Sequence, residues 1–79
     1  MIDKENLKEI LKITFRSNLQ ELMSKRKVSE KELAEELKVS INAISRYYNG
    51  KAFPSIENLY LLCVYFKKPI DYFFPKYIS

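Results

Sequence analysis

Residues 29–55 read SEKELAEELKVSINAISRYYNGKAFPS, and this stretch decides the fold. Ser29 followed three residues later by Glu32 is a capping box, in which each side chain accepts a hydrogen bond from the other residue's backbone amide. The pattern predicts that a helix begins here. Apolar residues at helical spacing follow the capping box, at Leu33, Ala34 and Leu37.

A second short helix is predicted after three residues that break this apolar pattern. Ser40 has the side chain to cap a helix over residues 41–49, and Gly50 can adopt the left-handed conformation in which helices often end. The angle between the two helices would be filled by apolar side chains, namely Leu33, Leu37, Val39, Ile44 and Tyr47. Residues 29–50 therefore predict a helix-turn-helix, a motif whose second helix fits the major groove of DNA.

Further helices are predicted on both sides of this unit. Asp3 can cap a long amphipathic helix whose apolar residues recur at spacings of three and four: Leu7, Ile10, Leu11, Phe15, Leu19, Leu22 and Met23. Ser55 can cap a fourth helix, and a short helical turn over residues 70–74 lies between two prolines. No alternating strand pattern is present, so we expect an all-α protein with one domain over residues 1–79.

Composition narrows the class of function. Histidine is absent and Cys63 is the one cysteine, so the commonest general base and a zinc site are both missing. We therefore expect no enzyme, no metal and no cofactor, and no small-molecule ligand is evident. The formal net charge of +4 only mildly favours anionic partners.

The location is expected to be cytoplasmic, without a membrane partner. The first twelve residues mix charged and apolar side chains, unlike a signal peptide. The longest apolar stretch, residues 59–66, is far shorter than the roughly 20 residues that cross a membrane.

Polar side chains on the outer face of the second helix of the unit predict contacts with DNA bases. Asn42 can form two hydrogen bonds with an adenine edge, Arg46 can do so with guanine, and Ile41 can meet a thymine methyl group. The predicted base-contacting set is Ile41, Asn42, Ser45 and Arg46. The alternative is that these residues are only the solvated face of a helix.

A second set of residues can donate hydrogen bonds to DNA phosphates, which fix register without reading sequence. It comprises Ser29, Lys31, Ser40, Asn49 and Lys51. Lys31 has the alternative of being simply solvated on its helix face.

The quoted stretch resembles the phage-repressor and Cro family, also called XRE-type helix-turn-helix regulators. The resemblance covers residues 16–74 and rests on Leu33-Ala34, Val39-Ser40, Ile44-Ser45, Asn49-Gly50, Pro54-Ser55, Leu59, Leu62 and Ile70. It implies a compact five-helix lambda-repressor-like domain that binds double-stranded DNA through its third helix, usually as a homodimer on a palindromic operator. The implied function is transcription regulation, with repression expected. The alternative is a protein-interaction module of antitoxin or anti-repressor type.

Three positions depart from the family pattern. Glu30 stands where a glutamine usually contacts the DNA backbone, and Lys38 stands at a turn position that is often glycine. Met23 and Tyr48 replace a buried arginine and its glutamate partner, so we expect them to pack as an apolar pair.

The two ends of the chain carry more apolar residues than the family core requires. The first helix is lengthened at its N-terminus by about three turns, and aromatic residues crowd the C-terminal end. We expect these ends to form a homodimer interface from Leu7, Ile10, Leu11, Tyr72, Phe73, Phe74, Tyr77 and Ile78. The alternative is that they only cover the core of their own monomer.

Overall fold

The computed structural model describes residues 3–76, which form four α-helices and one short 3-10 helix. In chain order these are α1 (Lys4–Arg26), α2 (Glu30–Leu37), α3 (Ile41–Tyr48), α4 (Ile56–Phe66) and the 3-10 helix η1 (Ile70–Phe73). None of the described residues lies in a strand, so the predicted all-α class is confirmed. Within this part of the chain, no helix is both long enough and apolar enough to span a membrane.

The four α-helices begin at the capping residues that the sequence predicts. Asp3, Ser40 and Ser55 each accept a hydrogen bond from a backbone amide in the first turn of their helix. Ser29 and Glu32 form both bonds of the capping box, at 3.1 and 2.9 Å. Because a cap satisfies donors that the helix itself cannot, these local contacts fix where each helix starts.

The predicted count of five helices needs a correction in its last element. η1 is a 3-10 helix of four residues and not an α-helix. Pro69 precedes it with φ −67° and Pro75 follows, so only residues 70–74 are available between the two prolines. Proline has no amide hydrogen and disfavours helical backbone in the residue before it, which leaves room for a single tight turn.

The lengthened first helix is confirmed, since α1 runs for 23 residues. Its first buried residue is Phe15, so the turns before it extend past the core, and Ile10 and Ile13 there are each almost half exposed. Three exposed ion pairs lie along its surface, Lys8–Glu5, Lys12–Glu9 and Lys25–Glu21. Such pairs contribute little stability, so tertiary packing of the second half holds α1 in place.

An aromatic cluster forms the centre of the core. Phe15 of α1 is fully buried, and its ring centroid lies 5.9 Å from that of Tyr47 in α3. The rings of Phe53, in the loop after α3, and of Phe73, in η1, lie 5.3 and 5.1 Å from it. These distances are typical of attractive aromatic pairs, so one side chain joins four parts of the fold.

Lysine occupies the left-handed position that follows three of the helices. Lys27, Lys38 and Lys67 end α1, α2 and α4 with φ of 55°, 57° and 56°. Lys38 lies in the turn between α2 and α3, at the position where the family often has glycine. An L-residue with a Cβ pays roughly 1–2 kcal/mol for this conformation, so the turn is strained by about that amount.

Replacing Lys38 with glycine should stabilise the protein. Glycine removes the Cβ strain, while its greater freedom in the unfolded chain offsets part of the gain, so we expect about 0.5–1 kcal/mol in the free energy of unfolding. Urea denaturation followed by circular dichroism measures this. The matched control is Lys31→Gly inside α2, where glycine should cost about 1 kcal/mol. A loss of stability in Lys38→Gly would contradict the strain.

Met23 and Tyr48 lie at one surface depression between α1, the start of α2 and the end of α3. Met23 is buried and Tyr48 is half-buried against the core. The Gln20 side-chain amide lies in the same depression and donates to the Tyr48 carbonyl at 2.6 Å. The depression is lined by Gln20, Met23, Ser24, Lys27, Val28, Ser29, Glu30 and Tyr48. The two side chains thus occupy neighbouring positions at which an apolar pair is expected.

Met23→Arg alone should destabilise the protein by several kcal/mol, because it buries a charge without a partner. Met23→Leu keeps the volume and polarity and is expected to cost less than about 1.5 kcal/mol. Adding Tyr48→Glu to Met23→Arg should recover part of the loss by restoring an ion pair. The free energies of unfolding from urea titrations compare the three variants. An unchanged stability in Met23→Arg would refute the apolar pair.

Candidate nucleic-acid interface

The inner side of the helix-turn-helix is the apolar surface that the sequence predicts. Leu33 and Ile44 are fully buried, and Tyr47 is buried as well, while Leu37 and Val39 are half-buried against them. Ala34 is also buried, where its small side chain lets α2 and α3 approach closely. α3 is only eight residues long and could not persist alone in water, so this contact determines where it points.

The predicted base-contacting residues lie together on the outer side of α3. Ile41, Asn42 and Arg46 are exposed, and Ser45 is half-buried between them. Their spacing places them on adjacent turns of the helix, opposite the buried Ile44. The structure brings the four side chains to one surface, and their contact with bases stays a prediction.

Two hydrogen bonds that the sequence did not predict join Asn49 to Ser45. The Asn49 side-chain amide donates to the Ser45 carbonyl at 2.9 Å and to the Ser45 hydroxyl at 3.3 Å. Asn49 thus closes the last turn of α3, and a phosphate contact from the same amide would compete with these bonds. The Ser45 hydroxyl accepts from Asn49 and keeps its own proton for an external acceptor.

The remaining predicted phosphate contacts come from the two helix starts and the end of α3. Ser29 and Ser40 both use their hydroxyl oxygens to cap a helix, at 3.1 and 3.0 Å. The Ser40 hydroxyl keeps a proton to donate, whereas the Ser29 hydroxyl also bonds the Glu32 carboxylate. The Ser29 amide is already bonded to Glu32. Lys31 and Lys51 are exposed and free to reach outward. These assignments stay predictions.

Carboxylates weaken the case for phosphate binding at the start of α2. The pKa of Glu32 is lowered from its ordinary value, because its carboxylate accepts a hydrogen bond from the Ser29 amide and because it also bonds the Ser29 side chain. It is therefore charged at neutral pH, beside Glu30 in the same turn. Two negative charges next to Ser29 and Lys31 oppose a phosphate there.

The residues predicted to form a dimer interface lie in different environments. Leu7 and Leu11 are half-buried and Ile10 is exposed on the extended part of α1. Tyr72 and Phe74 are half-buried near the C-terminal end, and the Tyr72 carbonyl accepts a hydrogen bond from Asn18 of α1.

Phe73 requires a correction, because it is fully buried against Phe15 in the monomer core and offers no surface to a second copy. Tyr77 and Ile78 lie outside the described residues.

Two capped helices that meet at a buried angle, with a polar face on the second, define a helix-turn-helix DNA-binding domain. The family model for helix-turn-helix proteins matches residues 19–73, which is more than half of the chain. The chain therefore belongs to the helix-turn-helix family of XRE type, the phage-repressor and Cro group, whose members are DNA-binding transcriptional regulators.

A named relative is consistent with this family. The HTH-type transcriptional activator BcrR of Enterococcus faecalis is 37% identical over 57 residues, which make up 72% of this chain. The matched residues are 28% of BcrR, so the chain spans less than a third of that protein. No solved structure matches the chain.

Proposed function

We propose that this chain regulates transcription by binding double-stranded DNA sequence-specifically, with α3 in the major groove. The observation that carries the proposal is the two-sided character of α3: Ile44 and Tyr47 fix its inner side in the core, while Ile41, Asn42 and Arg46 are exposed on the other. A reading surface that is fixed before binding loses little entropy when DNA arrives. The chain acts as a binding protein in the cytoplasm, without enzymatic activity or cofactor.

Each exposed side chain on α3 has a chemically defined partner. Asn42 pairs with an adenine edge and Arg46 with a guanine edge, each through two hydrogen bonds, while Ile41 contacts a thymine methyl group. Ser45 contributes its free hydroxyl proton to a base or a phosphate. Because N-terminal residues of a recognition helix enter the groove, Ile41 and Asn42 read its floor and Arg46 the flanking position.

The direction of regulation depends on where the operator lies. We propose repression, in which the bound protein covers the site that polymerase requires. Activation is the alternative favoured by the similarity to BcrR, which is named as an activator. A footprint on promoter DNA distinguishes them, since protection of the polymerase site means repression and protection upstream of it means activation.

We also propose that the protein binds a palindromic operator as a homodimer. The extended part of α1 exposes Ile10 beside the half-buried Leu7 and Leu11, and a second copy would cover this apolar side. Tyr72 and Phe74 extend the surface at the C-terminal end. Two identical reading helices would then meet two identical half-sites.

A second function, binding of a partner protein, is favoured by one feature of α4. Ile56, Tyr60 and Val64 form a stripe at four-residue spacing, and each is more than half exposed. Exposed apolar stripes of this kind often bind other proteins. Salt discriminates the two functions, because contacts with phosphates release counterions and contacts with an apolar stripe do not.

The dimer is tested by analytical ultracentrifugation at tens of micromolar protein. We expect a dimer for the wild type and a monomer for Ile10→Glu, because a carboxylate would be buried at the interface. Ile56→Glu is the matched control, since it makes the same change on the stripe of α4 and should leave the dimer intact. A wild-type monomer at this concentration would contradict the proposed dimer. If only Ile56→Glu is monomeric, the dimer interface lies on α4 instead of α1.

The DNA contacts are tested by fluorescence anisotropy with an operator selected from a random-site duplex pool. Asn42→Ala and Arg46→Ala should each weaken operator binding by about 1–3 kcal/mol and relax preference at one base position. Lys51→Ala should weaken binding to all duplexes alike and lower the salt slope by about 0.9. If the wild type binds no duplex even at low salt, binding of a partner protein becomes the better-supported function.

A further inference from the structure

Arg16 lies on α1 between two contacts that hold this helix against the end of α3. The preceding residue, Phe15, packs edge-on against the Tyr47 ring at 5.9 Å. One turn later, Gln20 donates to the Tyr48 carbonyl at 2.6 Å. The backbone of Arg16 is therefore fixed relative to the reading helix, although the residue is far from it in sequence.

The side chain of Arg16 lies directly against Gly50, the residue that ends the α3 segment. A Cβ at Gly50 would be 3.1 Å from Arg16 Cδ and 3.5 Å from its Nη1. Contacts as short as 3.1 Å are tight, so a methyl group there would require the Arg16 side chain to shift by a few tenths of an ångström. The side chain thus lies at the turn after α3, in space that a side chain at position 50 would approach closely.

The left-handed conformation alone does not explain this glycine. Gly50 has φ 71°, but Lys27, Lys38 and Lys67 adopt φ of 55–57° with a side chain in place. The chain evidently tolerates a Cβ in this conformation at three other turns. What distinguishes Gly50 is the Arg16 side chain beside it, so the two residues are best explained together.

Arg16 has no anionic partner among residues 3–76. The ion pairs in this part of the chain involve Lys8, Lys12 and Lys25, and the side-chain hydrogen bonds likewise leave Arg16 out. Arg26 shows the contrast, since its guanidinium donates to the Tyr65 carbonyl and lies over the Tyr65 ring. Arg16 is half-buried, and its guanidinium has no hydrogen-bond or ion-pair partner among residues 3–76.

The turn against which Arg16 lies is flanked by two exposed cations. The chain turns back after Gly50, and the Lys51 amide donates to the Arg46 carbonyl at 2.8 Å. Arg46 is a proposed base reader and Lys51 a proposed phosphate contact, and both are exposed. Arg16 therefore adds a third cation at the same end of the reading helix.

We propose that Arg16 donates to a backbone phosphate of the DNA bound by α3. A guanidinium offers a planar pair of donors that fits two phosphate oxygens, and an arginine held in place loses less entropy on binding than a free one. The contact would set the depth of α3 in the groove without reading sequence. This inference rests on the proposed DNA binding and deepens it by adding a contact from α1.

The test compares Arg16→Met, Arg16→Lys and wild type in anisotropy titrations with fluorescein-labelled duplexes. One duplex carries the selected operator and the other a mixed sequence, each at several salt concentrations between about 50 and 200 mM. Methionine keeps an apolar stem without the charge, and lysine keeps the charge without the planar fork. Lys8→Met is the matched control, since it removes the same charge from the same helix two turns away.

Arg16→Met should weaken binding to both duplexes by the same factor, about tenfold, and lower the salt slope by about 0.9. Arg16→Lys should keep the slope and bind more weakly than wild type, and Lys8→Met should match wild type. Equal slopes for Arg16→Met and wild type would overturn the proposal, as would equal losses in Arg16→Met and Lys8→Met.

Urea denaturation of the same variants distinguishes a structural role of Arg16 from a phosphate contact. If Arg16→Met loses stability while its salt slope stays at the wild-type value, Arg16 only supports the end of α3, and the phosphate contact is refuted. If Arg16→Met folds with wild-type stability and loses slope, the phosphate contact is supported. Absence of binding by the wild type to either duplex would instead overturn the DNA-binding function as a whole.

Discussion

The packing of Phe15 is the contact on which the rest of the structure depends. Its ring touches Tyr47 of α3, Phe53 of the following loop and Phe73 of η1, and it is fully buried. α2 and α3 have eight residues each, too few to persist as isolated helices, so their direction is set by the core. Through Tyr47 this core holds the inner side of α3. The outer side of α3 is therefore exposed to solvent in a fixed direction.

Several residues expected to bind DNA already serve the fold. Ser29 and Ser40 cap helices, and Asn49 closes the last turn of α3 through Ser45. These bonds orient each side chain and use part of its hydrogen-bonding capacity, leaving the hydroxyl proton of Ser40 for an acceptor outside the protein. Lys31 and Lys51 are exposed and have no ion pair among residues 3–76. Arg16 differs from both groups, because its side chain lies against Gly50 and its guanidinium has no partner among residues 3–76.

Local chemistry explains which features the sequence could predict. The caps at Ser29 and Ser40 depend on residues within four positions of one another, so their pattern is visible in the sequence. The burial of Phe73 is different, because it depends on α1 and η1 meeting, residues almost sixty positions apart. An aromatic chain end looks the same whether it packs on its own core or on a second copy. The contact between Arg16 and Gly50 escaped prediction for the same reason.

The distribution of charge differs between α2 and α3, and it favours the end of α3 as the proposed side for DNA. α2 carries four glutamates against one lysine, and the capping box lowers the pKa of Glu32 further. Phosphates near the body of α2 would be repelled, so Ser29 and Lys31 at its start can help only at close range. The end of α3 has no such opposition within the helix itself, which carries Arg46 and no carboxylate. With Lys51 after it and Arg16 beside it, this end is where the proposed complex would gain most from contacts with the DNA backbone. The formal net charge of +4 does not distinguish the start of α2 from the end of α3, whereas the placement of the individual charges does.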